Sequence, residues 1–89
     1  MEEEKKNLEE IGLVTDFFTH VSAASIQLDK GDLKVGDKIL IQGHTTNSEQ
    51  VIESMQVDRK PVEEAKVGDN IGIKVSERVR KKDKVFKVT

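Results

Sequence analysis

The sequence predicts an all-β protein, a small β-barrel of about six short strands, and two observations carry that prediction. The tetrapeptide Lys-Val-Gly-Asp occurs twice, at 34–37 and at 66–69, and each copy precedes a strand-like run. Glycine accepts positive φ and aspartate can hydrogen-bond its own backbone, so each copy indicates a turn that feeds a sheet. Short apolar segments also recur about every 8–14 residues without helical periodicity, which is typical of a barrel.

The first half of the chain gives a polar tail and three strands. Residues 1–9 are polar and rich in Glu and Lys, and we expect a disordered tail or a frayed helix there. The barrel domain then covers 10–89. Alternating apolar residues predict a first strand over 10–20 and a second within 21–28. In the first strand, the pair Phe17-Phe18 breaks the alternation, so one ring should be buried and the other partly exposed.

The second half gives the remaining strands. After the first Gly-Asp turn we predict a third strand over 38–43. Regular alternation predicts one continuous fourth strand over 49–57, followed by Pro61, which central strands exclude. Two further strands are expected at 70–76 and 84–88, with a basic turn between them.

Composition excludes several classes of protein. With 89 residues the chain forms one domain, and its 36% of charged residues leaves a net charge of −2. The absence of cysteine excludes disulfides, a thiolate nucleophile and cysteine-based zinc sites. The opening residues do not resemble a signal peptide, and no apolar run approaches the roughly 20 residues that span a bilayer. We therefore expect a cytoplasmic protein that does not bind membranes.

Catalysis has little support in the sequence. The two histidines, His20 and His44, stand in no metal-binding or nucleophile motif, and both are expected to face solvent in turns or loops. The acidic pair Glu63-Glu64 is adjacent in extended chain, so its side chains point apart and form no catalytic dyad. We expect no enzymatic activity, no cofactor and no metal.

One local charge feature stands out near the C-terminus. Residues 78–87 hold six cations against Asp83 alone, a net charge of +5. Such a hairpin can neutralise phosphates and release counterions from RNA. The alternative is a solubilising hairpin whose lysines prevent edge-to-edge association of sheets. With only three aromatic residues in the chain, a base-stacking platform is poorly supplied.

The stretch 51–75 resembles the second, β-barrel domain of translational GTPases of the elongation factor Tu type. In that family a strand with Ser-x-Glu-Met precedes a basic residue, then Pro-Val/Leu-Glu-Glu-Ala, then Gly-Asp-Asn-Val/Ile-Gly. This chain reproduces the order with Ser54, Met55, Arg59, Pro61-Val62-Glu63-Glu64-Ala65 and Gly68-Asp69-Asn70-Ile71-Gly72. The resemblance covers about residues 11–89 and implies a closed six-stranded barrel.

The same resemblance implies what the chain lacks. Neither the G-x-x-x-x-G-K-[ST] phosphate loop nor a guanine-reading Asn-Lys-x-Asp is present, so we expect no GTP binding. In the elongation factors a Glu of the barrel helps to hold the terminal adenosine of aminoacyl-tRNA, and Gln56 takes its place. The family's Gly-Arg-Val aligns with Ile26-Gln27-Leu28, which replaces a cation near the same pocket.

A weaker likeness is to the C-terminal barrel of a collagenase-type peptidase family. Its Phe-Glu-Gln-Thr-Ile-Glu-Glu-Met is similar to residues 48–55. That family uses the barrel as an appended module, so the likeness implies that the same barrel serves different functions.

Two hypotheses for function follow, together with a third that the resemblance adds. The first is a translation-linked module that contacts RNA, or a ribosome- or tRNA-linked complex, through Gln56, Arg59, Lys60, Arg78, Arg80, Lys81, Lys82 and Lys84. The alternative is a protein-interaction subunit that docks on a separately encoded enzyme. The third is retained recognition of the aminoacyl-tRNA end, centred on Gln56.

Overall fold

The computed structural model describes residues 7–89, and these residues form ten β-strands and no helix. The all-β prediction is therefore confirmed. In chain order the strands are β1 (Leu8–Phe18), β2 (Ala23–Leu28), β3 (Leu33–Lys34), β4 (Lys38–Gln42), β5 (Asn47–Val51), β6 (Met55–Val57), β7 (Lys60–Val62), β8 (Glu64–Ala65), β9 (Asn70–Lys74) and β10 (Lys84–Val88).

Eight of these strands form one antiparallel sheet in the order β5-β4-β10-β1-β2-β9-β6-β7, and β3 pairs with β8 separately. Within residues 7–89 no ladder joins the edge strands β5 and β7, so the prediction of a closed six-stranded barrel is wrong. The side chain of Gln50, in β5, links this edge to the backbone of Lys74 and Ser76 instead. The Gln50 amide donates to the Lys74 carbonyl at 2.8 Å and accepts from the Ser76 N–H at 3.1 Å.

The predicted boundaries need two corrections. Strand β1 begins at Leu8, so Leu8 and Glu9, which we placed in the polar tail, pair with Val88 and Lys87 of β10. The rest of the predicted tail, residues 1–6, lies outside the described residues. The predicted fourth strand over 49–57 is interrupted, because β5 ends at residue 51 and β6 begins at residue 55.

Burial explains that interruption. Ile52 and Met55 are both 1% exposed although they are three residues apart, which strict alternation does not allow. The backbone of Ile52 has also left the sheet, since its N–H and C=O bond to the first Gly-Asp turn. The apolar pattern hid this break because Ile52 occupies a position that alternation assigned to the opposite face.

The core is aliphatic and lies inside the curved sheet. Its fully buried members of largest volume are Ile11, Ile26, Leu28, Leu33, Ile39, Ile41, Ile52, Met55, Ile71, Val14, Val79 and Val85. Phe17 is partly buried and packs against this core, whereas Phe18 is 42% exposed, so the two rings differ in the predicted direction but neither is fully buried. The end of β1 therefore presents an aromatic ring to solvent.

Both Lys-Val-Gly-Asp copies form the predicted turns. We call Lys34–Asp37 the first corner and Lys66–Asp69 the second corner. In each, the aspartate carboxylate accepts from the N–H of the first residue, at 3.0 and 2.9 Å respectively. The third residue is a glycine at φ of +99° in the first corner and +102° in the second, as a type II turn requires.

A third turn of the same design occurs where the sequence shows no glycine. In this third corner, Arg80–Asp83, the Asp83 carboxylate accepts from the Arg80 N–H at 2.8 Å and Lys82 takes a φ of +74°. Each corner also docks on one buried residue by two backbone hydrogen bonds. These buried residues are Ile52 for the first corner, Leu28 for the second and Val14 for the third, with bonds of 2.7–2.9 Å.

Candidate functional site

The cations around the third corner face solvent. Arg78, Arg80, Lys81, Lys82 and Lys84 are all exposed, and none forms a salt bridge with a carboxylate in residues 7–89. One of them acts at longer range: the Lys84 charge adds to the hydrogen bond and charge of Lys30 in lowering the pKa of Glu10. These cations therefore face solvent, as expected, but the prediction that they lie on a hairpin is wrong. The flanking strands β9 and β10 pair with β2 and β6 and with β1 and β4, and not with each other.

The buried Asp83 carboxylate anchors the third corner. Asp83 is only 5% exposed, and its carboxylate lies directly against Gly43. A Cβ at Gly43 would overlap Asp83 Oδ1, so the loop after β4 has room for glycine alone. The basic side chains thus project from a turn that is anchored by a buried carboxylate.

The other predicted contact residues lie elsewhere on the sheet. Arg59 occupies the two-residue turn between β6 and β7, where it and Asp58 have φ of +65° and +52°. Lys60 follows in β7, and both cations are exposed. Four strands separate β7 from β10, which is about 24 Å along the sheet. The structure therefore divides the predicted cations into two groups.

Gln56 is exposed on β6, where it pairs with Gly72 of β9 and Pro61 of β7. Gln27, at the position of the family's arginine, has its amide engaged by the second corner. It donates to the Gly68 carbonyl at 3.2 Å and to the Asp69 carbonyl at 3.4 Å. The two glutamines that replace the family's charged residues are therefore not equivalent, since the Gln27 amide is engaged by the second corner while Gln56 lines an open depression.

That depression, which we call the Gly72 groove, was missed by reasoning from sequence. It has a volume of about 310 Å³ and lies over the small outward residues of β2 and β9. Its lining comprises Phe18, Val21, Ala23, Ala24, Ser25, Ser54, Met55, Gln56, Gly72, Ile73 and Lys74. A glycine within a strand, here Gly72, was the available signal, because such glycines often mark close approach of a ligand or backbone.

A second cavity adjoins the Gly72 groove through a shared residue. It has a volume of about 430 Å³ and is lined by Gln50, Val51, Glu53, Lys74, Val75 and Ser76. Lys74 lines both depressions and has no salt bridge with any described carboxylate. Val51, 50% exposed on the edge strand β5, supplies an apolar wall.

His20 and His44 are exposed in the turns that follow β1 and β4. Across the described chain, no three residues drawn from histidine, cysteine, aspartate and glutamate are grouped so that they could hold a metal ion. The same residues contain no helix with the length and hydropathy needed to cross a membrane.

Comparison with curated proteins gives relatives of the peptidase kind. The chain is 49% identical over 78 residues to an uncharacterized protease of Methanocaldococcus jannaschii, a match that covers 86% of this chain and 19% of that protein. It is 33% identical over 78 residues to a collagenase of Porphyromonas gingivalis, covering 86% of this chain and 22% of the collagenase. The chain thus spans about a fifth of the length of these relatives.

Solved structures agree on the fold. The C-terminal domain of a Geobacillus thermoleovorans protein described as a U32 peptidase superposes with a TM-score of 0.82 at 22% identity, over 89% of this chain and 91% of that domain. A selenomethionine variant of the same domain gives 0.80 at 21% identity, over 86% and 96%. The family model for elongation factor Tu domain 2 matches residues 24–85. Both resemblances noted in the sequence are confirmed, and the chain belongs to the elongation factor Tu domain 2 family.

Proposed function

We propose that this chain is a non-catalytic protein-interaction domain that docks on a peptidase-type enzyme. The observation that carries the proposal is the kind of relative: two are named as a protease and a collagenase, and the similar solved structures are peptidase C-terminal domains. In the protease and the collagenase the matching segment is about a fifth of a much longer chain. The proposal is that this chain supplies the same module to an enzyme region.

The surface of the domain supports a protein partner. The Gly72 groove has an apolar lining, and Phe18 and Val21 expose 42% and 51% of their surface beside it. Exposed apolar residues that cluster around a depression are typical of protein–protein contact sites. At the position where the elongation factors carry a glutamate, the groove offers the neutral Gln56, which removes a charge from any nucleotide contact.

RNA binding is a second candidate, and one observation favours it. Five exposed cations surround the third corner without a salt bridge to any carboxylate of residues 7–89, and phosphate neutralisation requires accessible cations. Against it, no aromatic residue lies within 78–84 to stack on a base. If RNA were the partner, charge reversal of Arg80, Lys81 and Lys82 to Glu would abolish a salt-dependent affinity measured with labelled RNA.

Recovery of partners with and without nuclease separates the two candidates. The tagged chain is incubated with native extract of its source organism, and half of the sample receives nuclease before capture. We expect a peptidase-type protein to remain bound after nuclease treatment and after reversal of the three cations to Glu. A partner that is lost in both arms would replace protein docking by RNA binding. The cytoplasmic location expected from sequence stays a prediction, which cell fractionation of the same organism tests.

An in-trans experiment tests docking directly. The Methanocaldococcus protease is prepared without its matching 78-residue segment, and this chain is added as a separate molecule. We expect a stable complex by size-exclusion chromatography, because the missing module is restored. The intact protease is the control and should bind weakly, since its own segment occupies the docking surface. Equal binding of both forms would contradict the proposal.

A further inference from the structure

We infer that the Gly72 groove and the adjoining cavity bind an extended segment of the partner protein in which apolar side chains flank a carboxylate. The inference rests on the proposed function and deepens it, because it names the docking surface and the chemistry of its occupant. It follows from three features: a floor of small residues, exposed apolar walls, and one lining cation, Lys74, that has no salt bridge to a described carboxylate.

The floor is built by strand register. Ser25 pairs with Gly72, and Gly72 pairs with Gln56, so these three outward positions form one row across β2, β9 and β6. A Cβ placed at Gly72 would meet no atom within 4 Å, which shows that the space above it is open. Because β9 is hydrogen-bonded on both sides, its backbone has few groups left for a ligand. Recognition in the groove therefore depends on side-chain contact.

The walls select an apolar side chain. Phe18 and Val21 stand at one side of the groove, and Ser54, Met55 and Gln56 stand at the other. A volume of about 310 Å³ lies at the lower limit of small-molecule pockets and suits one large aliphatic or aromatic side chain. A partner residue such as Leu or Phe would cover the exposed ring of Phe18.

The charge at the boundary selects a carboxylate. Lys74 is the one charged residue among the described residues that line the groove, and it has no salt bridge within 7–89. On its other side the second cavity carries Val51, half exposed on β5, with Glu53 also in the lining. A partner carboxylate on Lys74 therefore lies between two apolar contacts. Glu53 disfavours a carboxylate deeper in the second cavity.

Alternation along an extended segment matches this arrangement. In extended chain, successive side chains point to opposite faces, so every second residue can contact the same surface. A segment with the pattern apolar–x–acidic–x–apolar would fill the groove, pair with Lys74 and cover Val51. Because Lys74 stands between two apolar surfaces, the arrangement predicts where the carboxylate lies in the pattern. A uniformly apolar patch would predict no such position.

Selection from a random peptide library displayed on phage tests the inference with a defined probe. The full 89-residue chain serves as bait, and enriched peptides are synthesised for measurement of Kd by fluorescence anisotropy. We expect enrichment of peptides in which Asp or Glu lies within two residues of a large apolar residue. Binding should weaken at least about tenfold on Gly72→Leu, which fills the groove, and on Lys74→Glu, which repels the carboxylate.

Two controls separate binding from folding. Lys66→Glu makes the same charge change on an exposed residue of the second corner and should leave Kd within about twofold. Gly72 has no positive φ and its Cβ would be unobstructed, so Gly72→Leu should keep the thermal midpoint within about 4 °C of the parent. Lys74→Glu changes an exposed residue, so its effect on Kd still tests the inference if Gly72→Leu fails to fold.

The possible failures are distinguishable. Peptides that bind Gly72→Leu and Lys74→Glu as tightly as the parent would overturn the inference and leave the proposed function standing. Enriched peptides that are uniformly basic would also overturn it, since Lys74 would repel them. If no peptide is enriched while labelled RNA binds the parent chain, the proposed function falls as well.

Discussion

The first two corners and the third corner have one backbone design but differ in the residue at the strained position. The first and second corners place Gly36 and Gly68 at φ of +99° and +102°, whereas the third corner places Lys82 at +74°. All three use an aspartate to cap the first N–H of the turn. The geometry is therefore specified by the aspartate and by docking on one buried residue, while glycine lowers the conformational cost of the turn.

The residue at the left-handed position sets the conformational cost of each corner. A non-glycine residue in the left-handed region costs about 1–2 kcal/mol. At the third corner the same aspartate-to-N–H bond is better shielded from solvent, since Asp83 is 5% exposed while Asp37 and Asp69 are only partly buried. A hydrogen bond is stronger in such surroundings, and we expect it to offset part of the strain at Lys82. Four substitutions test this comparison through their effect on the free energy of unfolding.

Gly43→Ala should have the largest effect, because the new Cβ would overlap the Asp83 carboxylate that anchors the third corner. We expect a loss of about 3 kcal/mol in the free energy of unfolding, as for an overpacked site. Urea denaturation followed by circular dichroism measures it. Gly72→Ala is the matched control, and it should change stability by less than about 0.5 kcal/mol because its Cβ meets open space. Equal effects of the two substitutions would contradict the packing described for Gly43.

Asp83→Ala should come next. The substitution leaves the Arg80 N–H without its acceptor and removes buried contacts with Gly43, so we expect a loss of about 2 kcal/mol. The same change at Asp69, whose carboxylate bond lies in an exposed turn, should cost about 1 kcal/mol. A larger loss at Asp69 than at Asp83 would show that the third corner does not depend on its buried carboxylate.

Gly68→Ala should cost about 1.5 kcal/mol. A Cβ there meets no atom within 4 Å, so the whole effect comes from the left-handed backbone. Gly36→Ala should give the same value, because the first corner has the same φ and an equally open position. Chemical denaturation of both variants measures the pair. A difference above about 1 kcal/mol between them would mean that the two corners are not equivalent.

Sequence reasoning found the features that glycine marks and missed those that register creates. The first two corners were predicted because Gly36 and Gly68 are visible beside their aspartates. At the third corner a basic turn was predicted, but its likeness to the first two corners was not, because Lys82 gives no sign of positive φ. Its aspartate, three residues after Arg80, was the remaining clue.

Sequence reasoning missed the Gly72 groove and the open edge of the sheet for a different reason. Ser25, Gly72 and Gln56 lie far apart in sequence and meet only through strand pairing, which composition does not reveal. At the open edge the Gln50 side chain bonds to the backbone of Lys74 and Ser76, where a ladder between strands was expected. Strand count and closure depend on such long-range pairing, whereas the all-β class and the aliphatic core follow from local patterns.

Replacement of Lys82 by glycine tests the claim that the three corners share one backbone design. Lys82→Gly should raise the free energy of unfolding by about 0.5–1 kcal/mol, because the strain of a left-handed lysine exceeds the added flexibility of the unfolded chain. Lys81→Gly, one residue earlier and without positive φ, should lower it. Destabilisation by Lys82→Gly equal to that by Lys81→Gly would contradict the claim.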